Sequence, residues 1–245
     1  MSGSLNLHSG GDVVTREVLR TIPVPPATAT WKPIAHFDLV QALDRQLTVR
    51  DIRITKEEFA LTHDGLRLFG ILELVVPGKN GCSGQDYAFA MGIRTASDRS
   101  FATQLAVGAR VFVCLNLSFS GDLIAMNRKH TAKFGLNAHL SRAVDRFQTH
   151  LTTFGRKFDR LRTFNLSDTD ARSLICLAFY EEILPVRLLH TVTKTYFEPG
   201  SEMVDVQPRT AWGLMNAMTR AVKRLCPASA FQATTQLGRF FELTE

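Results

Sequence analysis

The spacing of apolar residues changes once along the chain, near residue 137, from short alternating runs to a helical period. Residues 48–128 alternate in short stretches separated by Gly, Asp, Asn and Ser, which is typical of antiparallel strands joined by tight turns. Asp64-Gly65 lies between two stretches and supplies the positive φ that a hairpin needs. The pattern predicts a β-meander with strands at 48–54, 59–63, 66–76, 87–94, 101–107, 110–119 and 123–126, and with turns at Ser97-Asp98, Gly108 and Ser120–Asp122.

Beyond residue 137, apolar residues recur at alternating intervals of four and three, which predicts one long helix with a single apolar side. Further helices are predicted at 37–47, from a capping box at Ser167–Asp170 to a stop before Pro185, at 210–225 and at 230–241. The fold class is therefore α+β, with the meander packed against the long helix and a C-terminal helical part. The apolar positions of the long helix are Leu140, Val144, Phe147, Leu151, Phe154, Phe158 and Leu161.

Proline and small polar residues in the first 35 positions predict an extended, flexible lead-in to a single domain at 36–245. Hydrophobic residues make up 45% of the chain and charged residues 21%, as in ordinary globular proteins. No apolar run reaches the ~18 residues of a membrane span, and the N-terminus lacks the basic start and apolar core of a secretory signal. We therefore expect a cytoplasmic protein without a membrane partner.

The four cysteines lie 32, 62 and 50 residues apart and form no close pair of the kind with which a zinc site begins. Cys114, Cys176 and Cys226 each lie in an apolar run, where a free cysteine usually behaves as a small core residue. The sequence thus predicts four structural thiols.

Positive charge is concentrated in residues 128–162. This segment holds nine lysines and arginines against Asp145 and Asp159, a net charge of +7; since the whole chain carries +6, the remainder sums to −1. Such a concentration favours an anionic partner, and the leading interpretation is a nucleic-acid surface. The competing interpretations are a solvated helix face balanced by acidic residues elsewhere, and a specific acidic protein partner. The predicted nucleic-acid-binding residues are Arg128, Lys129, His130, Lys133, Arg142, Arg146, Arg156 and Arg160.

His130 lies among cations, which we expect to lower its pKa and keep it neutral at pH 7. It could act as a base or contact a phosphate, or it could be a loop histidine with no special role. His139 and His150 fall on the polar side of the long helix and are expected to be exposed. Asn116 lies in an apolar stretch, where it could brace a turn or point at a ligand. Asp98 with Arg99 is expected to cap a hairpin turn.

Signatures of catalysis are missing from the sequence: it has no G-x-S-x-G, H-E-x-x-H, Walker A or G-x-G-x-x-G pattern. Glu182 could join Asp98 or Asp122 in a carboxylate cluster for a metal-dependent nuclease only through a contact made by the fold. We therefore predict no catalytic residue, no metal and no cofactor, and we lean towards a non-enzymatic protein.

Four short motifs occur in an order that resembles a known family. They are G-I-R-T-A-S-D-R-S-F at 92–101, G-A-R-V-F-V-C-L-N at 108–116, R-K-H-T at 128–131 and W-G-L-M-N-A-M-T at 212–219. Together they resemble the phage- and plasmid-borne proteins that carry domain of unknown function 932, over roughly residues 87–219. Thr95-Ala96 stand where we expect Asn-Ser in that family's turn, and Leu115 stands where we expect an acidic residue. The resemblance implies a mobile-element setting and no established activity.

Three hypotheses follow from these observations. The first is a non-enzymatic, largely sequence-independent DNA-binding protein of a phage, prophage or plasmid. The second is a protein-interaction module that acts on a host factor, of the counter-defence type, and the third is a metal-dependent nuclease. The oligomeric state stays open.

Overall fold

A six-stranded antiparallel sheet, with strand order β1-β2-β3-β4-β5-β6, organises the molecule. The structure, a computed structural model, describes residues 11–76, 87–111, 117–131, 135–200 and 209–242. The strands are β1 Asp12–Val14, β2 Arg53–Thr62, β3 Arg67–Val75, β4 Tyr87–Ala96, β5 Thr103–Val111 and β6 Leu117–Arg128. The helices are α1 Arg16–Thr21, α2 His36–Thr48, α3 Leu136–Thr163, α4 Asp168–Tyr180, α5 Val186–Phe197, α6 Ala211–Val222 and α7 Pro227–Glu242. The predicted α+β class is confirmed.

The hairpin between β2 and β3 turns where the sequence predicted it, at Asp64-Gly65. His63 and Asp64 both have φ of 54°, and Gly65 has φ of 83°, so three successive residues adopt the left-handed conformation. The backbone N–H of Leu66 closes the turn by donating to the His63 carbonyl at 3.0 Å. A Cβ at position 65 would also lie 3.1 Å from the Ile22 side chain, so both backbone and packing favour glycine.

Both faces of the sheet are covered, because alternate residues of each strand point to opposite sides. Phe89, Met91 and Ile93 of β4 belong to the main core with α2 and α3, and the Phe89 ring meets Phe147 of α3 edge-on at 6.3 Å. Ala90, between them in sequence, belongs to a second cluster on the opposite face. That cluster also contains Ala60, Phe69 and Ile71, with Phe101 and Ala228 packed against it.

Helix α3 confirms the predicted long helix and spans 28 residues. Its apolar side is buried at Leu140, Val144, Phe147 and Phe158, while the side chains of 150–155 lie outside the described residues. Helix α4 begins with the predicted capping box: the Ser167 hydroxyl accepts from the Asp170 N–H at 3.1 Å, and the Asp170 carboxylate accepts from the Ser167 N–H at 3.3 Å. The start of α4 is thus encoded locally.

Three predicted boundaries in the meander are wrong. The stretch 48–54 is not a strand, because α2 continues to Thr48 and β2 begins only at Arg53. The turns expected at Gly108 and at Ser120–Asp122 are continuous strand in β5 and β6, and Gly108 pairs with Phe119. Small residues inside a strand were thus mistaken for turns. Cys114 and Asn116 lie between β5 and β6 in sequence, outside the described residues.

Two further differences concern the helical parts. Residues 12–21 of the predicted lead-in form β1 and α1, and Leu19 lies in the main core at 1% exposure. Helix α5 is not predicted by the sequence analysis, because a proline there indicates the end of the preceding helix. In the structure, Pro185 also precedes the first residue of a new helix. Pro227 likewise begins α7.

The expected placement of the thiols is wrong for the cysteines that can be seen. Cys176 and Cys226 are free and exposed, and Cys82 lies, with Cys114, outside the described residues. Within the described part of the chain, no helix is long and apolar enough to cross a membrane.

Candidate nucleic-acid interface

Four arginines form one face of α3, which we call the α3 arginine face: Arg142, Arg146, Arg156 and Arg160. At 100° per residue they fall within about 80° of arc, on the side of the helix away from the buried Leu140 and Val144. All four are exposed. At 1.5 Å per residue, the first and last are about 27 Å apart along the helix axis. The face is therefore long, narrow and cationic.

Carboxylates do not neutralise three of these arginines within the described residues. Arg142 donates to the Ala138 carbonyl at 3.2 Å and to Nδ1 of His139 at 3.1 Å, and neither acceptor carries a negative charge. Arg146 and Arg156 have no hydrogen-bond or ion-pair partner in the part of the chain that the structure describes. The charge of these three arginines is thus left to solvent within the described part of the chain.

Three acidic residues in and after α3 are engaged elsewhere. Asp145 of α3 accepts from Arg50 at 2.8 Å, and Arg50 also donates to the Ser141 hydroxyl at 2.7 Å. In the capping segment, Asp168 pairs with Arg209 at 3.4 Å and Asp170 closes its own capping box. Among the described residues, no carboxylate is therefore paired with Arg142, Arg146 or Arg156.

The remaining predicted binding residues lie in different surroundings. Arg128 ends β6 and Lys129 follows it as an exposed residue, but the Arg128 side chain and the whole of Lys133 lie outside the described residues. His130 differs from all the others, since it is only 4% exposed.

His130 is buried among hydroxyl groups and backbone. The Ile34 N–H donates to its Nδ1 at 3.4 Å, so Nε2 carries the ring proton and faces the hydroxyls of Thr95 at 3.1 Å and Thr103 at 2.5 Å. Burial, with a smaller contribution from nearby His36, lowers the pKa of His130 to about 4. The expected neutral state is confirmed, but its main cause is burial rather than neighbouring cations. His130 therefore does not share the exposed surface of the α3 arginines.

A second histidine lies close to His130. His36, at the start of α2, is 2% exposed and donates from Nε2 to the Gly65 carbonyl at 2.9 Å. Burial lowers its pKa as well. We call His36, Thr95, Thr103 and His130 the buried polar end of the sheet. The sequence analysis did not predict His36, Thr95 or Thr103 as site residues. The one signal in the sequence is that Thr95 and His130 each lie in one of the four motifs that resemble the family.

Asp98 caps the turn between β4 and β5, as predicted. Its Oδ1 accepts from the Ser100 N–H at 2.9 Å, and its Oδ2 accepts from Nε of Arg67 at 2.7 Å. Burial opposes ionisation, but these hydrogen bonds and the Arg67 charge outweigh it, and the pKa of Asp98 is lowered. Arg99 has φ of 66° and lies over the Trp31 ring at 4.4 Å.

The carboxylate cluster that a nuclease requires receives no support. Asp98 is occupied by Arg67, Glu182 is exposed, and the Asp122 side chain lies outside the described residues. Across the described ranges, no three His, Cys, Asp or Glu side chains are grouped so that they could hold a metal ion.

Fold and surface together define an α+β protein that exposes a cationic helix face beside a sheet with a closed polar end. Residues 29–239 match the family described as Domain of unknown function (DUF932), and the chain belongs to this family. The match confirms the resemblance and extends it beyond the four motifs. Comparison with curated proteins and with solved structures gave no match.

Proposed function

We propose that the chain is a non-enzymatic nucleic-acid-binding protein that holds the phosphate backbone of DNA along the α3 arginine face. The observation that carries the proposal is the lack of acidic partners for Arg142, Arg146 and Arg156 among the described residues. A protein that leaves several cations unpaired on one face gains affinity when phosphates release their counterions. Such contacts fix the position of the strand without reading its sequence.

The length of the face suits an extended anion better than a small one. About 27 Å separates Arg142 from Arg160, and arginines four residues apart are about 6 Å apart along the axis. Guanidinium groups also match phosphate oxygens in geometry, since they can donate two parallel hydrogen bonds. A strand of nucleic acid can meet two arginines near each end of the helix. The mobile-element setting implied by the resemblance belongs to the same proposal.

The test is binding as a function of salt. The variant R142A/R146A/R156A/R160A is compared with wild type on single- and double-stranded DNA, and on RNA of the same sequence, between 50 and about 200 mM salt. If all four arginines contact phosphates, the slope of log K against log salt becomes shallower by about 3 to 4 units for duplex DNA. Alanine is the strongest helix former, so α3 keeps its structure.

The matched control removes four other exposed cations: Arg45, Arg53, Arg187 and Lys194 are changed to alanine. Net charge falls by the same four units, but the slope is expected to stay close to that of wild type. A control variant that loses as much slope as the α3 variant would mean that only net charge matters. Wild type that binds none of the nucleic acids at 50 mM salt would contradict the proposal outright.

A second candidate function, a protein-interaction module that acts on a host factor, is favoured by an exposed apolar patch on α4 and α5. Leu177, Tyr180 and Val186 are 46%, 79% and 68% exposed. Exposed Arg187 and His190 lie next to them in sequence and supply a basic rim. The double variant Y180S/V186S separates the two functions: it loses a nuclease-resistant partner if the patch binds protein, and it keeps the salt slope on DNA.

A further inference from the structure

Arg94 of β4 is a half-buried cation with no ion pair among the described residues. Its Nε atom is buried and has no hydrogen-bond partner there. Taking a charge out of water without pairing it is costly, so proteins normally place an acid beside it. Two other partly buried arginines obey this rule: Arg67 of β3 pairs with Asp98, and Arg16 of α1 pairs with Asp44 and Glu57.

The surroundings of Arg94 hold the guanidinium in place without neutralising it. Its Cζ atom lies 5.1 Å from the centroid of the Phe101 ring and 5.5 Å from that of Phe231, which belongs to α7. These cation–π contacts hold the group against the two rings and supply no negative charge. Burial lowers the pKa of Arg94.

Gln104 lies directly opposite Arg94 in the neighbouring strand β5. Cross-strand partners place their side chains on the same face, about 5 Å apart at Cβ. Gln104 is 7% exposed, so its amide lies within the packed face of the sheet. On the same face, the next pair along the strands is Gly92 and Ala106, and Phe231 of α7 packs against Ala106.

We propose that Arg94 and Gln104 form a binding site for an oxyanion, the phosphate or carboxylate group of a small ligand, on the face of the sheet opposite α3. Two guanidinium N–H groups suit two oxygens of such a group, and the Gln104 amide can donate a third hydrogen bond. The site does not depend on nucleic-acid binding by α3. It uses a different face of the sheet and separate residues.

The test compares wild type with Arg94→Met, whose side chain has a similar length and packs well against aromatic rings. Thermal unfolding is followed in inorganic phosphate, in acetate and in adenosine monophosphate, each against sodium chloride at equal ionic strength. An oxyanion present at a hundredfold excess over its Kd is expected to raise the Tm of wild type by about 5 °C or more. The shift should be lost in R94M and kept in R53Q, which removes an exposed arginine of β2.

The ligand-free variant supplies a second readout. Because Arg94 is unpaired, R94M without oxyanion should unfold within about 2 °C of wild type or above it. The arms with acetate, phosphate and nucleotide tell which oxyanion is preferred. The proposal is overturned if no oxyanion shifts wild type, if R94M responds like wild type, or if ligand-free R94M loses 5 °C or more, which would mark Arg94 as a packing residue. The α3 quadruple variant should retain the shift, and R94M should retain the DNA salt slope.

Discussion

His130 and Arg142 are only twelve residues apart in sequence, yet they stand in opposite environments. The buried polar end of the sheet is closed, and its histidine and threonine side chains bond to one another and to backbone. The α3 arginine face is open, and Arg146 has no partner in the described part of the chain. The comparison teaches that a dense run of cationic residues can hold both a buried, hydrogen-bonded side chain and an exposed, unpaired one. Burial distinguishes them.

The largest effect on stability is expected from His130→Ala. The change removes a buried ring and leaves the Thr95 and Thr103 hydroxyls without its N–H donor, so we expect a loss of about 3 kcal/mol in the free energy of unfolding. Urea unfolding at pH 7 measures it. The matched control is His190→Ala on the exposed side of α5, which should cost less than about 0.5 kcal/mol.

If the two histidine variants lost the same free energy of unfolding, the contrast between a buried and an exposed environment would be wrong, because His130 would lie in a site that tolerates its loss. DNA binding by the folded fraction of His130→Ala adds a second check. The salt slope should match that of wild type, because a buried ring does not contact phosphate. A slope reduced by about 1 would return His130 to the binding surface.

The fold was predictable where the pattern is local and repeated. The seven apolar positions from Leu140 to Leu161 predict α3, and Ser167 with Asp170 predicts the start of α4, because helix period and capping depend on near neighbours. Strand ends were less predictable. Gly108 looks like a turn in sequence, but it lies within β5, where pairing with β4 and β6 decides its conformation.

The surface of α3 followed from sequence for the same reason, since four arginines at helical spacing fix one face. The buried polar end did not, because Thr95, Thr103 and His130 come together only through the pairing of β4 with β5 and the path of the chain after β6. The state of Arg94 was hidden as well. The alternating pattern predicts that Arg94 lies in a strand. Only the contact with Phe231 of α7 shows that its side chain is half buried.

A pH-dependent effect of intermediate size should distinguish the two regions. The folded pKa of His130 is about 4 and its unfolded value about 6.5, so the unfolded chain binds the extra proton as pH falls. The stabilisation is complete above pH 6.5 and is lost as pH falls towards 4. We expect about 1–2 kcal/mol less stability at pH 5 than at pH 7, in excess of any loss in His130→Ala.

His36 contributes in the same direction, since its pKa is lowered too, and the two histidines can be separated by repeating the series with His36→Ala. Unfolding midpoints at pH 7, 6 and 5 give the slopes. If wild type and His130→Ala lost stability equally over this range, His130 would not be the group that titrates, and the closed nature of the polar end would be in doubt.

The smallest effect on stability is expected from Arg146→Ala. The variant Arg50→Ala provides the contrast. Arg50 has a side chain that is 15% exposed, and it binds Asp145, Ser141 and Gln46, so its loss should cost about 2 kcal/mol. Arg146 is exposed and without a described partner, so its loss should change the free energy of unfolding by less than about 0.5 kcal/mol.

Binding should reverse this order. Arg146→Ala is expected to reduce the DNA salt slope by about 1, the value for one lost phosphate contact, whereas Arg50→Ala should leave the slope of the folded protein unchanged. Fluorescence anisotropy over a salt series, with urea unfolding of the same samples, measures both quantities. If the two variants differed in stability but had equal salt slopes, Arg146 would be exposed on α3 without contacting phosphate. Unequal slopes would show that the arginine paired with Asp145 serves folding, whereas the arginine without a described carboxylate partner serves binding.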